Sequence, residues 1–185
     1  IIIICESIYN GNTLKLARSM AQTLGCRIIN AHQANSEDLS QYSAIGFGSG
    51  IYFGTHHPAL FEVVNKLNET RQDVFIFSSR GAPVLGKYHN GLKKALLDKG
   101  KNLVGEFSVR GYDETGPWVI IGGGNVGKPN ETDLKKAQQF VRKKLPSFCK
   151  TEPYEMIKTK LPVREGQTNN YCVVADKRIT MLTGD

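Results

Sequence analysis

The 185 residues are 40% hydrophobic and 22% charged, which supplies a real core and excludes both a disordered chain and a disulfide-stapled mini-protein. No run approaches the roughly 18 apolar residues of a membrane span, so no membrane span is expected. The 24 Lys and Arg against 17 Asp and Glu give +7, but without aromatic interleaving or an RNP-like pattern no nucleic-acid site is predicted.

Ile1 to Cys5 is a solid β-branched run, as a strand buried on both faces requires. From Asn12 the period turns helical, with Leu14, Ala17, Ala21 and Leu24 on one face and Gly25 as the stop. Cys26 to Ile29 is a second strand, and Ser36-Glu37-Asp38-Leu39 is expected to form a single turn before the third, Tyr42 to Gly48. His57-Pro58 opens a helix carrying Leu60, Val63, Val64 and Leu67 inward. The fourth strand is Val74 to Phe77, followed by Ser78-Ser79-Arg80-Gly81 as a loop. A helix from about Tyr88 to Lys99, with Leu92, Leu96 and Leu97 inward, leads to the fifth strand, Leu103 to Val109. After the Gly122-Gly123-Gly124 loop, Asn130 opens a last helix with Leu134, Ala137, Val141 and Leu145 inward, ended by Pro146.

Strands alternating with helices require crossover connections and hence a parallel sheet covered on both faces. The expected fold is α/β, a three-layer doubly wound domain over residues 1–145 with a five-stranded parallel sheet. Residues 146–185 form a C-terminal extension, read as a linker followed by a β-hairpin at Tyr171–Val174 and Arg178–Leu182. Two basic stretches, Lys93, Lys94, Lys99 and Lys101, then Lys135, Lys136, Arg142, Lys143 and Lys144, are expected to be solvated faces. An acidic protein is the other partner such charge suits. The four cysteines form no CxxC pair, and Cys5 and Cys26 are expected as buried thiols in a reducing, cytoplasmic setting; the opening residues carry no basic signal-peptide region.

Ligands of such sheets sit beyond the carboxyl ends of the strands, where strand order reverses. Ser7-Ile8-Tyr9-Asn10-Gly11-Asn12-Thr13 runs straight into a helix and offers amides and a favourable dipole to an anion, or else Asn12 or Thr13 serves only as an N-cap. It lacks both GxxxxGK[ST] and GxGxxG. After strand three, Tyr52 or Phe53 either stacks on a planar ligand or folds into the core. His56 and His57 are adjacent, a spacing that suits capping or solvent rather than a metal. Asp113, Glu114 and the histidines stand isolated, so no catalytic residue is assigned.

The strings IYNGNTLKLA (8–17), GFGSGIYFG (46–54), GYDETGP (111–117) and GKPNETDLKKA (127–137) together resemble the flavodoxin family over about residues 1–145. The resemblance implies a flavodoxin-like fold, strand order 2-1-3-4-5 and noncovalent FMN. The family's first loop, [ST]-x-T-G-x-T, wraps the FMN phosphate. Ser7 stands at its opening and Gly11-Asn12-Thr13 match its end, while Asn10 replaces the middle threonine in a loop one residue longer. By this likeness Ser7, Ile8, Tyr9, Asn10, Gly11, Asn12 and Thr13 hold the phosphate. Ser49, Gly50, Ile51, Tyr52, Phe53 and Gly54 flank the ring, with Tyr52 its leading contact. Ser78, Ser79, Arg80 and Gly81 meet the pyrimidine edge.

The expected function is FMN-dependent electron transfer between redox proteins. The alternatives are an NAD(P)H-dependent FMN or quinone reductase, with Arg80 and Lys87 attracting an anionic substrate, and an interaction module without FMN.

Overall fold

A computed structural model describes residues 1–82, 86–114 and 123–149. The hairpin expected at 171–182, most of the 146–185 extension and part of the 122–124 glycine loop lie outside the described residues. The strands are β1 (Ile2–Glu6), β2 (Arg27–Ile29), β3 (Ala44–Tyr52), β4 (Thr55–His56), β5 (Asp73–Arg80) and β6 (Asn102–Arg110). The α-helices are α1 (Asn12–Leu24), α2 (Ala31–Ala34), α3 (Pro58–Lys66), α4 (Asn90–Asp98) and α5 (Glu131–Lys144).

The main sheet runs β2-β1-β3-β5-β6, all parallel, which is the expected 2-1-3-4-5 order. The two-residue β4 pairs antiparallel with the end of β3 and was not expected. Alternation along the strands sorts the core into two layers. Ile2, Ile4, Phe47, Val74 and Ile76 meet α3 and α4 residues such as Leu60, Val63, Val64, Leu92 and Leu96. Ile3, Cys5, Phe75 and Phe77 meet Leu16, Ala17, Met20, Ala137 and Val141 of α1 and α5.

Three boundaries depart from expectation. β3 continues four residues past Gly48, and β5 continues through Ser78, Ser79 and Arg80, so these predicted loops are largely strand. The extension follows from pairing: Ser49 is in register with Glu6 and Ser78, and Gly50 with Ser79, so their backbone groups are satisfied in ladders despite weak strand propensity. Between β2 and β3 the chain forms α2, capped reciprocally by Asn30 and Gln33, and a 3₁₀ turn at Leu39–Gln41 instead of one turn at 36–39.

Three side chains also depart. Leu97 is 48% exposed rather than inward, and Cys26 is only half-buried. Lys101 is not on a solvated face but buried, its Nζ donating to the Asn68 and Thr70 carbonyls and Gln72 Oε1. Those acceptors compensate the ammonium for its lost water, although burial still lowers its pKa.

The α1–α5 layer depends on a large-on-small fit. Phe75 and Phe77 are in register with Gly46 and Gly48 of the neighbouring strand, and each ring occupies the space a Cβ on its glycine would need. Gly46→Ala is therefore expected to cost about 1–3 kcal/mol by overpacking. The double variant Gly46→Ala/Phe75→Leu should be less destabilised than the sum of the single variants by at least about 0.5 kcal/mol. Urea unfolding of the four proteins measures this, and strict additivity would remove the steric account.

Candidate functional site at the carboxyl edge of the sheet

β2 lies on one side of β1 and β3 on the other, so strand order reverses at β1 and opens a crevice beyond Glu6 and Tyr52. The chain leaves β1 through Ser7 to Gly11 and turns into α1 with two successive left-handed residues, Asn10 (φ 53°) and Gly11 (φ 62°). Gly11 is the N-cap and supplies no side-chain cap, and no carboxylate lies in the first turn. The positive end of the α1 dipole thus meets the crevice without an acidic neighbour on its own helix. Ser7 Oγ accepts from the Leu14 N–H at 3.3 Å and ties the loop to the helix.

Asn12 and Thr13 are buried, and their side chains are committed to structure. Asn12 Nδ2 donates to the Tyr112 carbonyl at 2.7 Å, while its Oδ1 is buried with no hydrogen-bond partner. The Thr13 and Ser79 hydroxyls pair at 2.7 Å, joining α1 to β5. Neither residue is a side-chain N-cap, so the helix end is left to backbone donors.

The second wall is the β3–β4 hairpin. Phe53 (φ 50°) and Gly54 (φ 84°) form its tip, and the Phe53 ring is fully exposed. Tyr52 is half-buried over Gly50, 5.9 Å from the Tyr9 ring and 5.7 Å from that of His57. Its hydroxyl accepts a long 3.4 Å contact from the Ile8 N–H, and burial raises its pKa, so it stays a neutral phenol. Ile8 and Tyr9 are 55% and 60% exposed, giving the crevice an apolar and aromatic lip with Phe53. Neither ring of the hairpin folds into the core.

The third wall is the end of β5. Gly81 is backed by the Asp113 carboxylate, which fills the space a Cβ would take, and Asn125 Nδ2 donates to both the Gly81 and Gly111 carbonyls. In the sequence Asp113 stands isolated and without a site role, and Asn125 is not singled out. No local pattern marks them, because Gly81 is 32 positions from one and 44 from the other. The φ of 54° at Asn125, a conformation asparagine tolerates better than most residues, is the one signal in hindsight.

Ser49, Ser78 and Arg80 turn away from the crevice, toward α3 and α4. Ser49 Oγ contacts His56 Nδ1 at 2.9 Å, accepts from the His57 N–H at 3.0 Å and donates to the Gly50 carbonyl. Ser78 Oγ contacts His89 Nε2 at 2.8 Å and Ser108 Oγ at 2.8 Å, and Arg80 Nη1 donates to Ser108 Oγ at 3.0 Å. The His56 and His89 rings lie 4.9 Å apart. His57 caps α3 through Nδ1 as expected, but His56 is wholly buried rather than solvated, because β4 turns it inward over Ser49. Burial, then the neighbouring His89, pushes its pKa down to about 3. Among the described residues no group of three or more His, Cys, Asp or Glu is arranged to hold a metal, and no helix is long and apolar enough to cross a membrane.

A doubly wound parallel sheet with its crevice at the switch point defines an open α/β domain whose ligand site lies at the carboxyl edge of the sheet. A family model described as a flavodoxin domain matches residues 2–111, and the chain belongs to the flavodoxin domain family. An uncharacterized protein of Methanocaldococcus jannaschii, MJ0298, is 39% identical over 142 residues, 76% of this chain and 95% of that protein. A flavodoxin from the domain Archaea superposes with a TM-score of 0.59 at 13% identity, over 80% of this chain and 99% of that one. Oxidised flavodoxin 2 from Bacillus cereus gives 0.55 at 17%, over 75% and 93%. The Flv1 flavodiiron core from Synechocystis sp. PCC6803 gives 0.58 at 19%, over 80% of this chain but only 35% of that one. At these identities the solved structures share the fold.

Two outcomes follow. The His56 proton affinity is far below that of the free side chain in the folded state, so the unfolded chain binds more protons as pH falls below about 6.5. Its contribution to stability is full above pH 6.5 and is lost progressively toward about pH 3. On the order of 3–5 kcal/mol is at stake, and His56→Gln should flatten the acid limb of a urea-stability profile relative to wild type. Parallel profiles would refute the burial account. Separately, Tyr52→Ala should lower apoprotein stability by only about 1 kcal/mol, since the ring is half-exposed. A loss of several kcal/mol in thermal unfolding would make Tyr52 a core residue.

Proposed function

We propose that the carboxyl-edge crevice binds FMN and that the chain carries electrons between redox proteins. The observation that carries the reading is the N-terminus of α1, whose N-cap Gly11 supplies no side-chain bond and whose first turn holds no acidic residue, facing the switch point beneath an aromatic hairpin. The residues present fit the group. Backbone N–H groups of the Ser7–Thr13 loop would hold the phosphate, with the half-buried Ser7 and the exposed Asn10 as the polar side chains beside them. Tyr52, Phe53 and Tyr9 would cover the ring, and the backbone around Gly81 would meet its polar edge. The orphaned Oδ1 of Asn12 at the same helix end is an acceptor, suited to a ligand hydroxyl and not to the phosphate.

Bound flavin would supply the redox chemistry. The protein's part is to seat it, shield one face and bias its charge. Asp113, set against Gly81, places a carboxylate at the third wall, while Arg80, held by Ser108, places its guanidinium on the α3–α4 side of the same strand end. The partner proposed is an acidic redox protein, matched to the net charge of +7, with association that slows as salt rises.

Titration of the apoprotein with FMN and with riboflavin tests the phosphate assignment. At about 1.5–3 kcal/mol per charge-assisted hydrogen bond, FMN should bind at least about tenfold tighter. Equal affinities would remove the phosphate from the Ser7–Thr13 loop, and no flavin binding would leave the interaction-module reading. Added NAD(P)H should not bleach the bound flavin of a carrier, and rapid bleaching without a second protein would make the chain a reductase.

A further inference from the structure

Beneath the crevice, on the α3–α4 side, the structure holds a chain of polar groups that flavin binding does not use. It starts at the surface with Lys93 Nζ and Glu106 Oε1 at 2.9 Å. Glu106 Oε2 contacts His89 Nδ1 at 3.2 Å, and the chain continues through His89 Nε2, Ser78 Oγ and Ser108 Oγ to Arg80 Nη1. Glu106 is 32% exposed while His89 is only 7%, so one end is open to solvent and the imidazole is not. Arg80 immediately precedes Gly81 of the third wall.

The donors admit two arrangements. A carboxylate only accepts, so Nδ1 of His89 carries a proton toward Glu106 in both. With neutral His89, Nε2 accepts from the Ser78 hydroxyl, and Ser108 turns its proton toward Ser78. With the imidazolium, Nε2 donates to Ser78, and Ser78 donates onward to Ser108. Arg80 Nη1 donates to Ser108 Oγ in either case. One proton at Nε2 therefore reverses two hydroxyl dipoles without moving a heavy atom.

We propose that His89 is the proton-accepting group of this chain, taking up one proton when the flavin at the crevice is reduced. The inference rests on the FMN reading above. When two electrons from a low-potential reductant such as dithionite and one proton pass to the bound flavin, its ring is left with a negative charge. His89 then takes one further proton from solvent at Nε2, forming one N–H bond, and the Ser78 hydroxyl turns to Ser108 with its own O–H intact. The charges facing His89 are balanced for such a response. Burial is the largest influence and keeps His89 below its ordinary pKa before reduction; Glu106 favours the imidazolium, while Arg80 and Lys93 oppose it, and the His56 ring lies tilted against it at 41°. Added negative charge at the crevice offsets the opposing cations.

The test is a potentiometric titration of the flavin-loaded full chain from about pH 5 to about pH 8, in wild type and in His89→Gln. One extra proton per two electrons steepens the potential by about 30 mV per pH unit at the two-electron conversion of about 29.6 mV per tenfold. Wild type should show that excess over the variant across at least one pH unit, and identical slopes would overturn the proposal. Should His89→Gln not fold, ¹⁵N NMR of wild type decides. The His89 pKa should rise on reduction, with Nε2 the nitrogen protonated, and an unmoved pKa would overturn the proposal. A chain that gains no flavin absorbance with FMN fails the underlying reading. One that binds FMN and shows neither effect fails only the role of His89.

Discussion

The parallel pairing of β1 with β3 is the constraint from which the rest follows. Five register pairs, from Ile2 with Ile45 to Glu6 with Ser49, join strands whose other neighbours lie on opposite sides. Because the connections on either side of this pair leave in opposite directions, no helix among the described residues crosses the carboxyl ends of β1 and β3. The crevice is thus a product of topology, and its lining is whatever the loops after those strands supply. Ile2, Ile3 and Ile4 are wholly buried, so the pair is anchored in both core layers at once. A one-residue slip would exchange the two layers and turn Ser49 toward α1, away from His56.

Strand extension then decides which residues reach the edge. By continuing to Tyr52 and Arg80, β3 and β5 place side chains alternately on the two faces. Thr13 and Ser79 pair on the α1 side, whereas Ser49, Ser78 and Ser108 line up on the α3–α4 side with the two histidines. The domain is therefore apolar through its middle and polar in its last layer before the crevice. Such a layer is costly unless its donors and acceptors are matched. Most are, and His56 Nε2 and Arg80 Nε are the exceptions within it.

Much of this architecture was legible in the sequence. Solid apolar runs marked the strand centres, and the 3.6-residue stripes of α1, α3 and α5 marked the helices that cover them. The strand ends were illegible for a physical reason: Ser-Gly and Ser-Ser segments have little strand preference of their own and are extended by their neighbours' ladders. Lys101 and His56 misled in the same way. A lysine at the end of a basic stretch reads as solvated until carbonyls some 30 positions earlier are seen to fold over it. A histidine beside a helix cap reads as exposed until a two-residue strand turns it inward. Of the site, the loop residues could be listed, but not which side chains face the crevice.

That last distinction bears on how such a site evolves chemistry. The large apolar side chains exposed at the crevice, Ile8, Tyr9 and Phe53, carry no charge, and the α1 N-cap contributes only backbone. Shape and dipole there can bind a ligand but cannot respond to a change in its charge, since neither titrates. The groups that can respond lie one layer down, where Glu106 and Lys93 lead from solvent to His89 and the serines lead on to Arg80. Burial makes that layer sensitive, because a charge in a poorly solvated region acts over a longer range than one at the surface. Separating the two tasks by one residue of strand alternation leaves the crevice to shape and dipole and the electrostatic response to the layer beneath it. In a doubly wound sheet that separation requires only that the strands run past their apolar centres, as β3 and β5 do.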